Sequence, residues 1–133
     1  MIGIVICTHA DLAQALLATT EMIVGELPAA RAVGVQREDG PERVLERIRA
    51  AIDEVDIGDG VVLLCDMFGG TPSNLSLSLL SDKLEVVTGV NLPMLLKLYT
   101  ARKGPLAEVA AAARTHGRDN ILVAGELMRG KAS

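Results

Sequence analysis

Residues 61–74 of the chain read VVLLCDMFGGTPSN, an apolar run that ends in an acid, two glycines and the pair Thr71-Pro72. The apolar part, 61–65, lacks polar alternation, which is typical of a strand buried on both faces of a sheet. Threonine followed by proline is typical of a helix start, with Thr71 as the N-cap and Pro72 at the first helical position. Because a buried strand leading into a helix is the repeating unit of parallel sheets, this stretch predicts an α/β fold.

The same alternation of strand and helix patterns runs through the rest of the chain. The short apolar runs that predict strands lie at 2–7, 31–35, 61–65, 84–87 and 121–124. Helical spacing of apolar residues predicts helices at 12–24, 42–55, 75–80, 93–102 and 106–116. We therefore predict one domain over residues 1–133, an α/β fold with a doubly wound, mostly parallel sheet of about five strands flanked by helices on both faces.

Composition and charge exclude several classes of function. Half of the 133 residues are hydrophobic, but no apolar run approaches the roughly 20 residues that a membrane span requires. The net charge is −4, the pI is near 5.1, and lysines and arginines are scattered singly, so we expect no nucleic acid partner. Two cysteines without paired spacing, and an N-terminus that enters a strand-like run directly, predict a cytoplasmic protein.

Two titratable residues follow the first and third predicted strands, His9 and Asp66. Open α/β sheets bind ligands beyond the carboxyl ends of their strands, where these residues and Thr8 are expected. A carboxylate that accepts the Nδ1 hydrogen of an imidazole leaves Nε2 exposed as a nucleophile. Taken singly, His9 also fits a loop or cap histidine, and Asp66 fits a carboxylate that caps a local turn.

The residues after Asp66 favour an anion site. Gly69 and Gly70 allow close backbone approach, and the amides at the start of the following helix, with the Thr71 hydroxyl, suit a phosphate. Alone, this segment is equally a simple connection between a strand and a helix. Together with His9 and Asp66, it predicts a histidine that carries a phosphoryl group.

A metal or nucleotide site is less well supported by the sequence. Cys7, His9, Cys65 and Asp66 contain the ligand types of a zinc site, but their spacing matches no usual motif, and the cysteines suit packing in buried strands. The glycine pattern of dinucleotide-binding folds and the acidic cluster of receiver domains are missing after the first strand. His116, at a predicted helix end, has no acid partner in the sequence pattern and receives no role.

Three segments resemble a known family. Residues 3–9 (GIVICTH), 66–74 (DMFGGTPSN) and 89–95 (GVNLPML) are similar, in order and spacing, to the mannose-type IIA component of the bacterial sugar phosphotransferase system. The resemblance covers nearly the whole chain. It implies a phosphotransferase in which His9 receives a phosphoryl group from phospho-HPr and passes it to a IIB component, with Asp66 as the hydrogen-bond partner of His9.

The resemblance also implies a pocket and an assembly. Gly70, Thr71 and the loop Asn91-Leu92-Pro93 would line the phosphohistidine pocket, with no cofactor or metal. The protein would be a homodimer whose last strand pairs at the sheet edge. Because the chain ends near residue 133 without a linker, we expect IIB, IIC and IID to be separate polypeptides that bring this protein transiently to the inner face of the membrane.

Three questions stay open at this point. The related phosphohistidine subunit that serves a dihydroxyacetone kinase is similar in fold and histidine, and would differ in its partners. A regulatory binding module, controlled by phosphorylation without sugar transport, is a second alternative. Phe68, the single phenylalanine, either docks against a partner or packs over its own helix.

Overall fold

The computed structural model describes residues 1–130, which form four strands and six helices. The strands are Gly3–His9 (β1), Ala30–Val35 (β2), Val61–Cys65 (β3) and Leu84–Thr88 (β4). The helices are Leu12–Val24 (α1), Pro41–Val55 (α2), Thr71–Leu77 (α3), Leu92–Ala101 (α4), Leu106–Asp119 (α5) and Ala124–Met128 (α6). None of these helices is long and apolar enough to cross a membrane.

The strands form one parallel sheet in the order β2-β1-β3-β4. The chain winds outward from β1 in one direction to β2 and then, after a crossover, in the other direction to β3 and β4. This confirms the predicted doubly wound α/β fold. The strand order reverses between β1 and β3, and ligands bind at such a switch point in open α/β sheets.

Helices cover both faces of the sheet. Ile4 and Ile6 of β1 point into one core, where they pack with residues of α4 and α5 such as Leu95 and Val109. Val5 and Cys7 point into the opposite core, which includes Val44, Ile48 and Val55 of α2. The central strands β1 and β3 are therefore buried on both faces, which explains why their sequences show no polar alternation.

The predicted fifth strand at 121–124 is wrong for this chain. Residues 121–123 are irregular, and α6 follows from Ala124. Ile121, Leu122 and Val123 are 75%, 61% and 67% exposed, because no strand of the described chain runs beside them to supply hydrogen bonds. An apolar β-branched run predicts a strand only where a sheet edge is within reach of it.

The predicted helix end at Gly117 is also wrong, because α5 continues to Asp119. A Cβ atom at Gly117 would lie 2.5 Å from Cγ of Met94, so the missing side chain lets α5 approach α4. The glycine is a packing residue here, and it does not end the helix.

Arg102 is a buried cation that the sequence pattern did not reveal. It is 3% exposed, and its guanidinium donates to the carbonyl oxygens of Ile2 (2.9 Å), Pro28 (2.6 Å) and Ala29 (3.0 Å). Burial lowers the pKa of this guanidinium. These bonds tie the end of α4 to the residues before β1 and β2, at the end of the sheet opposite to His9.

Candidate active site

His9 and Asp66 meet at the switch point of the sheet. His9 is the last residue of β1, Asp66 directly follows β3, and the two strands are paired with Cys7 opposite Cys65. The Nδ1 atom of His9 lies 2.8 Å from Oδ2 of Asp66, and the backbone N–H of His9 donates to the same oxygen at 3.0 Å. The two residues predicted to work together are thus brought into direct contact.

The carboxylate of Asp66 is stabilised in its ionised form. Partial burial raises its pKa, but the hydrogen bonds from the ring and the amide of His9, the ring charge and the amide of Met67 outweigh that effect, so the pKa lies below its usual value. An ionised carboxylate can only accept hydrogen bonds, so Nδ1 must carry the hydrogen. Nε2 of His9 then keeps its lone pair, on a side chain that is 47% exposed.

An open cavity of about 490 Å³ lies beside the imidazole. Its lining residues are His9, Ala10, Val35, Gln36, Arg37, Asp39 and Thr71. Sequence reasoning missed Gln36, Arg37 and Asp39, which follow β2. The signal was available, because β2 pairs in parallel with β1 and ends at the same edge of the sheet.

Gly70 is in close contact with the imidazole. A Cβ atom at this position would lie 2.6 Å from Cε1 and 3.0 Å from Nε2 of His9. Gly70 is also the N-cap of α3, so the prediction that Thr71 is the cap was wrong by one residue. Thr71 is the first residue of the helix, where backbone amides lack an acceptor within the helix, and it lines the cavity.

Gly69 has a different role from the predicted one. Its φ of +99° makes the turn into α3, and its N–H donates to Oγ of Ser73 at 2.9 Å. The Ser73 hydroxyl in turn donates to the carbonyl oxygen of Gly70 at 3.1 Å. The amide of Gly69 is therefore already used within the loop. Of the three residues predicted to bind the anion, Gly70 lies against the imidazole and Thr71 lines the cavity.

The other predicted pocket residues, Thr8, Asn91, Leu92 and Pro93, are not among the residues that line the cavity. Thr8 is fully buried, and its hydroxyl accepts from the Ala13 N–H at 2.7 Å, which seats α1 on the end of β1. Asn91 caps α4 by accepting from the Met94 N–H. Thr8 and Asn91 therefore position helices around the site.

Comparison with known proteins identifies the family of this chain. The family described as "PTS system fructose IIA component" (EIIA-Man) matches residues 3–114. The chain belongs to the EIIA-Man family. It is 32% identical over 105 residues to the "PTS system fructose-specific EIIA component" of Bacillus subtilis (strain 168), covering 77% of this chain and 72% of that protein.

A longer relative and a solved structure agree with this assignment. The chain is 35% identical over 124 residues to the "PTS system mannose-specific EIIAB component" of Escherichia coli (strain K12), which is 90% of this chain but only 38% of that protein. The structure of the "Mannose/sorbose specific IIA subunit of phosphotransferase system" from Enterococcus faecalis superposes with a TM-score of 0.83 at 29% identity, covering 92% of this chain and 93% of that one.

The backbone after His9 is strained in this EIIA-Man domain. Ala10 has a φ of +50°, a left-handed conformation that costs a non-glycine residue roughly 1–2 kcal/mol. Its N–H donates to the carbonyl oxygen of Val35 at 2.8 Å, and a Cβ atom at Gly34 would overlap the carbonyl oxygen of Ala10. The glycine in β2 thus accommodates the bend that turns the chain away directly after His9.

The cysteines of this EIIA-Man domain behave as core residues. Cys7 and Cys65 are both fully buried, and burial raises the pKa of Cys7 to about 12 and that of Cys65 to about 11. Within residues 1–130, no group of three or more histidine, cysteine, aspartate or glutamate side chains is arranged to hold a metal ion. The two cysteines are therefore not ionised to thiolates at neutral pH, and the described residues do not provide the ligand cluster that a zinc site requires.

The loop between β3 and α3 carries two exposed apolar side chains. Phe68 is 69% exposed and Met67 is 53% exposed. The alternative that Phe68 packs over its own helix is therefore wrong. Its docking against a partner remains a prediction.

Proposed function

We propose that this chain is a phosphocarrier of the sugar phosphotransferase system, which accepts a phosphoryl group from phospho-HPr on Nε2 of His9 and passes it to a IIB component. The observation that carries the proposal is the 2.8 Å contact between Nδ1 of His9 and the ionised carboxylate of Asp66. It directs the lone pair of Nε2 toward the open cavity, beside Gly70.

The bonds that form and break involve two histidines, that of the donor HPr and His9 of this chain. The Nε2 lone pair of His9 attacks phosphorus, the new nitrogen–phosphorus bond forms, and the bond to the donor imidazole breaks. The donor nitrogen leaves with the electron pair of that bond. The His9 ring, still protonated at Nδ1, becomes positively charged, and Asp66 stabilises that charge. The return step transfers the group to a IIB component in the same way.

Two features of the site support phosphoryl binding. The amides at Gly70 and Thr71 begin α3, and a glycine at 70 leaves room for a group on Nε2. The cavity is open to solvent, so a docked partner would cover it and exclude water during transfer. Exposed Phe68 and Met67, next to Asp66, would supply apolar area for that docking.

The first experiment tests phosphoryl uptake. The protein is incubated with phosphoenolpyruvate, Enzyme I and HPr, and its intact mass is read at neutral pH. We expect one acid-labile phosphoryl group on the wild type, none on His9→Ala, and uptake on Asp66→Asn slower by at least about 100-fold, because an amide neither fixes the tautomer of His9 nor stabilises the charge that forms on its ring. His116→Ala, the other histidine, is the control and should behave as the wild type.

Two results would contradict the proposal. Uptake by His9→Ala would place the phosphoryl group elsewhere, and no uptake by the wild type while HPr is phosphorylated would exclude a carrier role. An Asp66→Asn variant as fast as the wild type would remove the orienting role of that carboxylate and leave the carrier role standing.

The relatives bear on the sugar and the partners. They are named for mannose, fructose and sorbose systems, which favours sugar uptake over the service of a dihydroxyacetone kinase or a purely regulatory role. We place the chain in the cytoplasm, where it would meet the membrane components through IIB. Transfer of the phosphoryl group from the phosphorylated chain to a purified IIB component of these systems tests the role in sugar uptake. A lack of transfer to any of these IIB components would contradict that role.

We also propose a homodimer. The outer edge of β4 borders a groove of about 380 Å³ whose lining residues include Val86, Thr88 and Ala110. The apolar run 121–123 is exposed and extends from the end of α5. A second copy of the chain that contributes this run as a strand at the β4 edge would cover both surfaces.

A further inference from the structure

Phosphorylation creates a charge problem in the cavity. A phosphoryl group brings about two negative charges. It would sit on a ring whose other nitrogen contacts the ionised Asp66, in a cavity also lined by Asp39. Asp39 is only partly compensated, because its Oδ2 lies 3.5 Å from the nearest guanidinium nitrogen of Arg47. A further positive charge would stabilise the dianion beside these carboxylates.

Arg37 is the one side chain with a permanent positive charge among the residues that line the cavity. The arginines that form ion pairs in residues 1–130 are Arg31, Arg47 and Arg118, and Arg37 is not one of them. It is exposed at the rim of the cavity. Its guanidinium is thus uncommitted in the unphosphorylated protein.

The turn that carries Arg37 is held in place by its neighbours. The backbone N–H of Gln36 donates to Oδ2 of Asp39 at 2.8 Å, and the N–H of Asp39 returns a bond to the carbonyl oxygen of Gln36 at 3.1 Å. The Gln36 side chain donates to Asp11, just before α1, at 3.1 Å. Because Val35 pairs with His9 in the sheet, this turn stands directly beside the imidazole.

We propose that Arg37 binds the phosphoryl group carried by His9 and thereby stabilises the phosphorylated form. This inference rests on the proposed function. A guanidinium presents two parallel N–H donors to phosphate oxygens and keeps its charge at all relevant pH values. Arg37 therefore shifts the equilibrium of phosphoryl transfer with HPr toward this chain, and it holds the phosphoryl oxygens away from Asp66.

The equilibrium distribution of the phosphoryl group is the most specific test. Limiting phosphoenolpyruvate is equilibrated with Enzyme I, HPr and the full chain at low protein concentration, and the phosphorylated fraction of each protein is read from its intact mass. The ratio of the phosphorylated fraction of this chain to that of HPr depends on the stability of the two phosphorylated forms. It does not depend on docking, which changes only the rate. A role of Arg37 in docking alone would leave the ratio unchanged.

Arg37→Gln should lower the ratio about fivefold, the upper range for a partly exposed ion pair, and Arg37→Lys should lower it less. Arg49→Gln is the matched control, because it makes the same charge change on α2 at a separate cavity, and it should match the wild type. The loss in Arg37→Gln should shrink as salt is raised. The ³¹P resonance of phosphorylated His9 should titrate at higher pH in Arg37→Gln, because a nearby cation favours the dianion.

The outcomes distinguish the role of Arg37 from the carrier function of the chain. If the wild type and Arg37→Gln are phosphorylated on His9 with equal ratios and equal ³¹P titrations, the role of Arg37 is overturned and the carrier function stands. If the wild type takes up no phosphoryl group, or His9→Ala takes it up equally, both are overturned. A fall in the ratio for Arg49→Gln equal to that for Arg37→Gln would reduce the effect to net charge and also overturn the assignment.

Discussion

At the scale of single residues, the proposed reactive nitrogen of His9 is determined by the residues that contact the two sides of its ring. Asp66 binds Nδ1 on one side, and Gly70 lies against Cε1 and Nε2 on the other. The carboxylate sets the tautomer, and the missing side chain of the glycine sets the space. The ring therefore has a fixed orientation, and Nε2, the proposed nucleophile, has space beside it.

Replacement of Gly70 by alanine should slow phosphoryl uptake but leave the free energy of unfolding nearly unchanged. The backbone of Gly70, with φ −91° and ψ 172°, suits alanine, so the free energy of unfolding should change by less than about 1 kcal/mol. The new methyl group would push the imidazole off its bond to Asp66, and the initial rate of phosphoryl uptake should fall at least about tenfold.

Gly40→Ala is the matched control for that variant. Gly40 is also an N-cap before a proline-containing first turn, but a Cβ atom there would meet nothing within 4 Å. The rate is measured by intact mass and the stability by urea denaturation. A normal rate in Gly70→Ala would show that the ring tolerates the methyl group, and the spatial argument would fail.

The sequence predicted His9 and Asp66 because each ends a buried strand, and parallel strands deliver such residues to one edge. It did not predict the separate roles of Gly69 and Gly70, which depend on a hydrogen bond from Gly69 to Ser73 in three dimensions. Arg37 was missed for a different reason. It follows β2, and only the pairing of β2 with β1 in three dimensions brings that strand end beside His9.

At the scale of elements, β1 and β3 form the rigid base of the site, and their cysteines are part of it. Cys7 and Cys65 face each other across the strands, in the core below His9 and Asp66. The sequence predicted β3 to the residue and β1 to within two residues at its end, since an unbroken apolar run has few alternatives in a protein of this size. The strand predicted at 121–124 was wrong, because a short apolar run forms a strand only where a pairing partner lies beside it, and the sequence alone does not show that partner.

The thiol groups should be inert in the folded protein. Burial raises the pKa of Cys7 from 9.0 to about 12 and that of Cys65 from 9.0 to about 11, so neither forms the reactive thiolate at neutral pH. A thiol reagent should label neither residue in the native state and both in urea. Ser78→Cys, at an exposed position, is the positive control and should be labelled once.

The raised pKa values of the two thiols also predict how the free energy of unfolding depends on pH. Above pH 9.0 the unfolded chain loses the thiol protons while the folded chain keeps them until about pH 11 to 12. The unfolded state then binds fewer protons, so the free energy of unfolding falls as pH rises through this window. Replacement of both cysteines by alanine should flatten that fall in urea titrations, and an equally steep fall would assign it to other groups.

At the scale of the whole molecule, the outer edge of β4 has no strand beside it within residues 1–130. Helices cover both faces, whereas the outer side of β4 borders a groove, and residues 121–123 stand exposed beyond α5. Exposed edges and apolar runs of this kind are normally covered in soluble proteins. The proposed homodimer would cover both surfaces.

Sedimentation equilibrium should give a mass of twice 14.0 kDa for the wild type. Leu122→Asp places a charge in the run that would bury against the second copy, and it should shift the protein toward the monomer. Ile57→Asp makes the same change at another exposed apolar position, 61% exposed, and should leave the dimer intact. A monomeric wild type would contradict the proposed assembly.

The position of β1 inside the sheet has a consequence for how the site responds to thermal motion. β1 is hydrogen-bonded to β2 on one side and to β3 on the other, and its last residue is His9. A strand paired on both sides opens only when most of the fold opens, whereas loops and edges fluctuate freely. We therefore expect the backbone that carries the imidazole of His9 to exchange more slowly than the loop of Met67 and Phe68, so that warming disturbs this loop before it disturbs the proposed nucleophile.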